Sequence, residues 1–342
     1  MNDLVDRILA GDVRAAARAM RMVDDRTPGH LDVLKALWAH TGRAWVIGVT
    51  GTPGAGKSTL VDRMIEAARG RGQRVGVVAV DPSSPFSGGA ILGDRIRMQR
   101  HFLDDGVFIR SLATRGHLGG VSRSAGDIVR VLDAFGSDLV ILETVGVGQD
   151  ELEVTRLAHT TIVVMAPGMG DDVQAIKAGI LEVADVFAVN KADREGADST
   201  VRDLEQMISL GAQTFVAGAH SRSHGHGALD VARARAQHAA DVWVPPVVKT
   251  VALAGTGLVE LVAAAERHRA WLETSGAGAR RVRGRLEQEL DAIFRDTLLD
   301  SVRDRAHPAL VAAADRVARR EQDPYTAAET IARAMIPGQA PA

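Results

Sequence analysis

Residues 45–60 read WVIGVTGTPGAGKSTL and combine a strand-like run, a glycine-rich loop and the start of a helix. The run WVIGVT is typical of a buried strand, and residues 51–58 fit the pattern G-x-x-x-x-G-K-[ST]. Glycines in such a loop let successive backbone N–H groups surround a phosphate, and the following helix adds the positive end of its dipole. The stretch therefore predicts a phosphate-binding loop at the start of an α/β domain.

Two side chains of this loop are expected to act directly on a bound nucleotide. We expect Lys57 to bridge the β- and γ-phosphates and the hydroxyl of Ser58 to coordinate Mg²⁺. Lys57 is also a predicted catalytic residue, because its charge can stabilise the transferring phosphoryl group. The full predicted phosphate site consists of Gly51, Pro53, Gly54, Ala55, Gly56, Lys57, Ser58 and Thr59.

The chain on both sides of the loop alternates between strand-like and helical patterns. Continuous apolar runs separated by helix-length segments indicate a parallel sheet with both faces covered. We therefore predict the α/β class and a P-loop NTPase fold, with a mainly parallel sheet covered by helices. The predicted strands are residues 45–50, 75–80, 107–112, 138–144, 160–167 and 185–190, and a strand-like run follows at 245–253.

Helical periodicity extends beyond the predicted sheet at both ends of the chain. We predict an N-terminal helical extension over residues 1–42, a P-loop domain over 43–273 and a C-terminal helical arm over 274–342. The arm has no strand to pack on, so its apolar stripe is expected to lie against the main domain or a second subunit, and we interpret it as a dimerisation arm. That stripe comprises Leu286, Leu290, Ile293, Phe294, Leu298 and Val302.

Composition excludes several classes of protein. A formal net charge of -2 over 342 residues gives no general attraction to nucleic acid or anionic membrane, so neither is an expected partner. The chain has no cysteine, which excludes disulfides, thiolate metal sites and a thiol nucleophile. No signal peptide or membrane-spanning run is evident, and we expect a cytoplasmic protein.

A second motif predicts which base is bound. Asn190, Lys191 and Asp193 form the pattern N-K-x-D directly after a predicted strand, where ligands bind in open α/β sheets. In GTPases the Asp carboxylate accepts hydrogen bonds from N1–H and the 2-amino group of guanine, and adenine has no donors at those positions. The order of the two motifs therefore predicts binding of GTP and GDP rather than ATP.

Carboxylates at the ends of other predicted strands are candidate partners of Mg²⁺. Asp81 and Glu143 each end a strand, and Asp94 follows in GDRIR, where it can orient a water or the metal. Gly146, in ETVG, is a candidate switch glycine whose N–H contacts the γ-phosphate, and Glu143 stands where D-x-x-G sequences have Asp. No glutamine follows Gly146 directly, so Gln149, three residues further on, is a candidate for positioning water alongside Asp94.

Six motifs in this order resemble the methylmalonyl-CoA mutase-associated GTPases, formerly described as ArgK-type transport kinases: GTPGAGKST, DPSSPFSGGAILGDRIRM, ATRGHLGG, ETVGVGQDE, PGMGDDVQAIKAGI and VNKAD. The resemblance implies a homodimeric G-protein chaperone that gates cofactor loading of an adenosylcobalamin-dependent acyl-CoA mutase, with the mutase and its adenosyltransferase as partners. It also implies a switch segment at 170–177, in which Asp171 and Lys177 are regulatory candidates. Ala175 replaces a glycine that is frequent in that family, which would stiffen this segment.

Two other functions are compatible with parts of the sequence. A metabolic kinase would use the phosphate loop to phosphorylate a small molecule, although the N-K-x-D motif argues against it. A nickel-insertion type of metal-delivery GTPase is suggested by His220, His224 and His226, but these lie in a Gly/Ser-rich stretch without a cysteine or carboxylate partner. We interpret them as a solvated loop.

Overall fold

Seven parallel strands form one sheet in the computed structural model, in the order β3-β2-β4-β1-β5-β6-β7. The structure describes residues 2–81, 98–113, 120–144, 156–168, 183–219 and 242–335. The α/β class and the parallel sheet predicted from the sequence are confirmed. The strands are β1 (Trp45–Gly51), β2 (Val75–Asp81), β3 (Val107–Ala113), β4 (Leu139–Thr144), β5 (Thr160–Met165), β6 (Val186–Val189) and β7 (Val247–Lys249).

Continuous apolar runs explain why these segments form central strands. Every residue of β1, β4, β5 and β6 is buried, as expected for a sheet covered on both faces. Strand β1 pairs in parallel with β4 on one side and β5 on the other. Because all strands run in the same direction, Gly51, Glu143 and Asn190 lie at or just after the carboxyl ends of β1, β4 and β6, along one edge of the sheet.

Helices cover both faces of the sheet. On one face, α1, α2, α3 and α5 share an apolar core with β2 and β4. On the other face, α4 and α7 pack on β1 and its neighbours. Helix α6 lies over β5 and β6 on the first face, because it packs on Val163, which alternates along β5 with Ile162 and Val164 of the α4 and α7 core. The helices are α1 (Asn2–Leu9), α2 (Val13–Asp24), α3 (His30–Leu37), α4 (Lys57–Gly70), α5 (Gly120–Ala134), α6 (Ala197–Ala219), α7 (Leu258–Thr274), α8 (Ala277–Ala318) and α9 (Pro324–Met335).

The chain divides into two compact units, Met1–Gly278 and Ala279–Ala342. The N-terminal helices belong to the first unit, because Ile8, Met20 and Leu37 are fully buried in the same core as Ile128 and Leu132 of α5. The described part of the second unit consists of most of α8 together with α9. None of the described helices is long and apolar enough to cross a bilayer.

One carboxylate joins the N-terminal helices to the sheet. Asp133, near the end of α5, is 8% exposed. Its Oδ2 accepts a hydrogen bond from Gly42 N at 2.5 Å, and its Oδ1 accepts from Ala44 N at 2.9 Å and Arg43 N at 3.2 Å. The carboxylate therefore holds the last three residues of the segment that connects the N-terminal helices to β1.

We expect Asp133→Ala to lower the free energy of unfolding by about 2 kcal/mol, because it leaves the buried N–H of Ala44 and the part-buried N–H groups of Gly42 and Arg43 without their charged acceptor. Chemical denaturation of the variant measures this loss. Glu205→Ala, which removes a carboxylate on the exposed side of α6, is the matched control and should change stability by less than about 0.5 kcal/mol. A loss below about 1 kcal/mol for Asp133→Ala would show that water replaces the carboxylate at this connection.

Candidate functional site

The phosphate loop has the backbone geometry that its glycines permit. Gly51 has a φ of 139°, and a Cβ atom there would lie 2.0 Å from the carbonyl oxygen of Val164. Gly56 has a φ of 92°, and a Cβ atom there would lie 2.4 Å from Asn190 Nδ2. Both positions therefore require glycine. Helix α4 begins directly after the loop, at Lys57, so its N-terminal dipole end is adjacent to the loop.

The ammonium group of Lys57 is held within the loop. Its Nζ donates to the carbonyl oxygens of Gly51 at 2.9 Å and Thr52 at 3.0 Å, and the residue is 6% exposed. These bonds place a buried positive charge among the backbone groups of the loop. Electrostatic attraction to an anion is strong in such a poorly solvated position.

Ser58 and Glu143 are in contact beside the phosphate loop. The Ser58 hydroxyl donates to Glu143 Oε1 at 2.6 Å, and the two residues are 5% and 2% exposed. The register of β1 and β4, which pairs Val49 with Glu143, brings this carboxylate to the loop. Hydroxyl and carboxylate oxygens are the ligands that Mg²⁺ prefers, and a hydroxyl that donates its proton still presents oxygen lone pairs. The donor set therefore fits a magnesium ion.

The base-reading motif is attached directly to the phosphate loop. Asn190 Nδ2 donates to the carbonyl oxygen of Ala55 at 2.8 Å, and Lys191 Nζ donates to that of Gly54 at 2.6 Å. Asn190 is 2% exposed, whereas Asp193 is exposed. Two residues of N-K-x-D thus fix the separation of the two motifs, and the carboxylate of the third is accessible to a ligand.

A turn at residues 250–257 also belongs to the site, and the sequence reasoning assigned it no function. Asn190 Oδ1 accepts hydrogen bonds from Ala252 N at 3.0 Å and from the Thr250 hydroxyl at 3.3 Å. The N–H of Ala192 donates to the carbonyl oxygen of Thr250 at 3.0 Å. The signal that could have revealed this turn is the pair Gly255 and Gly257 shortly after a predicted strand.

Several predicted residues lie outside the described part of the chain. Asp81 is described only as the last residue of β2, without its side chain. Within the described ranges, no group of three or more His, Cys, Asp or Glu side chains is arranged to hold a metal ion. The candidates that fall outside those ranges are Asp94, Gly146, Gln149, Asp171, Lys177, His220, His224 and His226.

Comparison with known proteins gives consistent results. A family model described as methylmalonyl Co-A mutase-associated GTPase MeaB matches residues 16–307. A protein of Pyrococcus abyssi whose name describes it as a GTPase is 42% identical over 342 residues, covering 99% of this chain and 98% of the relative. The GTPase ArgK of Escherichia coli is 44% identical over 193 residues. The matched region covers 55% of this chain and 58% of the length of ArgK.

Two further matches extend the comparison to a mitochondrial protein and to a solved structure. The mitochondrial methylmalonic aciduria type A homolog of Mus musculus is 30% identical over 294 residues. The matched region covers 86% of this chain and 63% of the length of the mouse protein. The crystal structure of a protein described as LAO/AO transport system kinase has a TM-score of 0.60 at 26% identity. The superposition covers 97% of this chain and 96% of the chain in that crystal structure.

Proposed function

Since the chain belongs to the family of methylmalonyl-CoA mutase-associated GTPases, we propose that it is the G-protein chaperone of an adenosylcobalamin-dependent acyl-CoA mutase. The chain is a GTP hydrolase that binds guanine nucleotides. The observation that carries the proposal is the match of the mutase-associated GTPase family over residues 16–307. The hydrogen bonds of Asn190 and Lys191 to the phosphate loop support its nucleotide-binding part, because they join the two motifs into one site. In the proposed function, nucleotide state gates loading of the mutase with intact cofactor and protects the loaded enzyme.

The proposed chemistry assigns each described residue a task. The backbone of the loop and Lys57 hold the phosphates, and Asp193 accepts hydrogen bonds from the guanine ring. Ser58 and Glu143 would hold Mg²⁺, together with Asp81. When bound, the metal neutralises charge that develops on the phosphate oxygens. Because Ser58 and Glu143 are buried and hydrogen-bonded to each other, their oxygens would already be held in place when the ion binds.

We propose Asp94, Gly146 and Gln149 as the residues that orient the attacking water and sense the γ-phosphate. Asp171 and Lys177 are proposed to signal to the partner protein whether GTP or GDP is bound. Since no glutamine directly follows Gly146, hydrolysis by the isolated protein should be slow until a partner orders the site. Activators that act in this way accelerate other GTPases by about 10³–10⁵-fold.

The C-terminal arm is proposed to form a homodimer. Apolar side chains on α8 are well exposed, among them Leu290 at 64%, Phe294 at 61% and Leu299 at 63%. A contiguous apolar surface on an exposed helix marks an interaction site. A second copy of the arm is the proposed partner of this surface, and an adenosyltransferase that supplies adenosylcobalamin is a proposed partner of the whole assembly.

We expect GTP turnover to rise about tenfold or more when the cognate mutase is added. Steady-state release of phosphate is measured with methylmalonyl-, isobutyryl-, ethylmalonyl- and hydroxyisobutyryl-type mutases in separate reactions. Heat-denatured mutase controls for nonspecific effects, and Lys57→Met protein controls for contaminating GTPases. An unchanged rate with all four native mutases would contradict the chaperone function.

The alternative function is a metabolic kinase. Its support is the similar crystal structure, whose name describes that protein as a transport system kinase. The two functions differ in the molecule that receives the γ-phosphoryl group: a small-molecule acceptor in a kinase and water in a hydrolase. Release of GDP and free phosphate in equal amounts without any added acceptor would favour the hydrolase.

A further inference from the structure

Arg63 of α4 is bonded to the turn on the base side of the site. Its Nε donates to the carbonyl oxygen of Ala252 at 3.1 Å, and its Nη2 donates to that of Leu253 at 2.8 Å. The guanidinium group thus binds two consecutive carbonyls with its planar fork, an arrangement that a lysine could not reproduce. The side chain is 28% exposed, so water only partly screens these bonds.

The turn that Arg63 holds is tightly constrained by its own backbone. Val251 and Thr256 form an antiparallel bridge, and Ala254 N donates to the carbonyl oxygen of Val251 at 3.0 Å. Gly257 has a φ of 76°, and a Cβ atom there would lie 2.0 Å from the carbonyl oxygen of Lys249. A shift at one residue of such a turn therefore moves the whole turn.

Arg63 and Asn190 hold Ala252 from opposite sides. Asn190 Oδ1 accepts from the N–H of Ala252, while Arg63 binds its carbonyl oxygen. Asn190 is in turn bonded to Ala55 of the phosphate loop. A closed path of contacts therefore runs from the loop along α4 to the turn, and back through Asn190 to the loop.

A backbone turn at this position can contribute to the choice of base. Guanine presents a hydrogen-bond acceptor at O6, whereas adenine presents a donor at N6. A turn that directs N–H groups to this position therefore favours guanine. Within the described residues, the N–H of Leu253 has no hydrogen-bond acceptor, and the residue is 79% exposed.

We propose that Arg63 is a positioning residue for guanine selection, which acts by fixing the turn at Ala252 and Leu253 so that the backbone N–H of Leu253 meets the O6 edge of the base. This rests on the guanine-nucleotide site proposed around Asp193. The third nitrogen of the guanidinium does not bind the turn, since Arg63 Nη1 donates to Glu66 Oε2 at 2.9 Å. The same hydrogen bond holds the pKa of the Glu66 carboxyl below its ordinary value.

The test compares GDP, IDP and ADP binding by calorimetry and competition. IDP retains O6 but lacks the 2-amino group that Asp193 reads. In Arg63→Met, which keeps much of the aliphatic stem, we expect affinity for GDP and IDP to fall together by about tenfold, while ADP binding is unchanged. The KM for GTP should rise by a similar factor at an unaltered kcat, because phosphate contacts are intact.

Glu66→Gln is the matched control, because it removes the ion pair with Arg63 but leaves both bonds to the turn. Its GDP to ADP preference should equal that of the wild type within twofold. A wild-type protein without any preference for GDP over ADP would refute the guanine site itself. A wild-type preference that persists undiminished in both Arg63→Met and Arg63→Gln, or an equal loss for ADP, would overturn the role of Arg63.

Discussion

Replacing Lys57 with methionine is expected to lower kcat/KM for GTP hydrolysis by about 10³-fold. The ammonium group is buried and bonded to the carbonyl oxygens of Gly51 and Thr52, so its charge is confined to the phosphate loop. Methionine occupies a similar volume but has no charge with which to stabilise the transferring phosphoryl group. Release of phosphate from GTP, measured over a range of concentrations, gives the change in kcat and KM.

The matched control for this variant is Lys35→Met, which removes an exposed lysine on α3. Its kcat/KM should equal that of the wild type within twofold. Thermal unfolding of both variants separates loss of catalysis from loss of the fold. Hydrolysis by folded Lys57→Met protein within tenfold of the wild-type rate would contradict the assignment of this loop as the site of phosphoryl transfer.

Replacing Asp193 with asparagine is expected to weaken GTP binding by about 10³-fold and to create a preference for XTP. The carboxylate can only accept hydrogen bonds, which matches the N1–H and 2-amino donors of guanine. An asparagine amide presents donors as well, which conflict with that amino group but match the carbonyl oxygen at the same position of xanthine. Competition between labelled GDP and unlabelled GTP or XTP measures both affinities.

Asp198→Asn is the control for the change of base preference. Asp198 lies five positions further along the chain and pairs with Lys249 at 3.0 Å; this bond lowers the pKa of its carboxyl. Removing that charge should leave the ratio of GTP to XTP affinity within twofold of the wild type. Equal binding of GTP by Asp193→Asn and wild-type protein would show that another residue reads the base.

Most of the sheet could be predicted because its strands are continuous apolar runs between helix-length segments. The predicted strands 45–50, 138–144 and 160–167 correspond to the fully buried strands β1, β4 and β5. The packing of the N-terminal helices could not be predicted in the same way, because periodicity shows which face of a helix is apolar but not which surface covers it. Burial of Met20 and Leu37 against α5 depends on the folded sheet.

The site was predictable where side chains with distinctive chemistry follow a strand. Lys57, Glu143 and Asn190 carry such signals, and the parallel sheet places them along one edge. The turn around Ala252 was missed because its contribution comes from backbone groups, which any residue provides. Arg63 was missed because a charged residue on an amphipathic helix ordinarily lies in solvent, and only the structure shows the carbonyls that it binds.

The burial of the first three helices has a practical consequence for engineering this protein. Their apolar residues cover the face of the sheet that carries Val78, Val80 and Leu142. A shortened gene product that starts at β1 would keep both nucleotide-binding motifs but present this face to water. Such a fragment should precipitate on expression, even though the motif map alone would suggest it as the minimal catalytic piece.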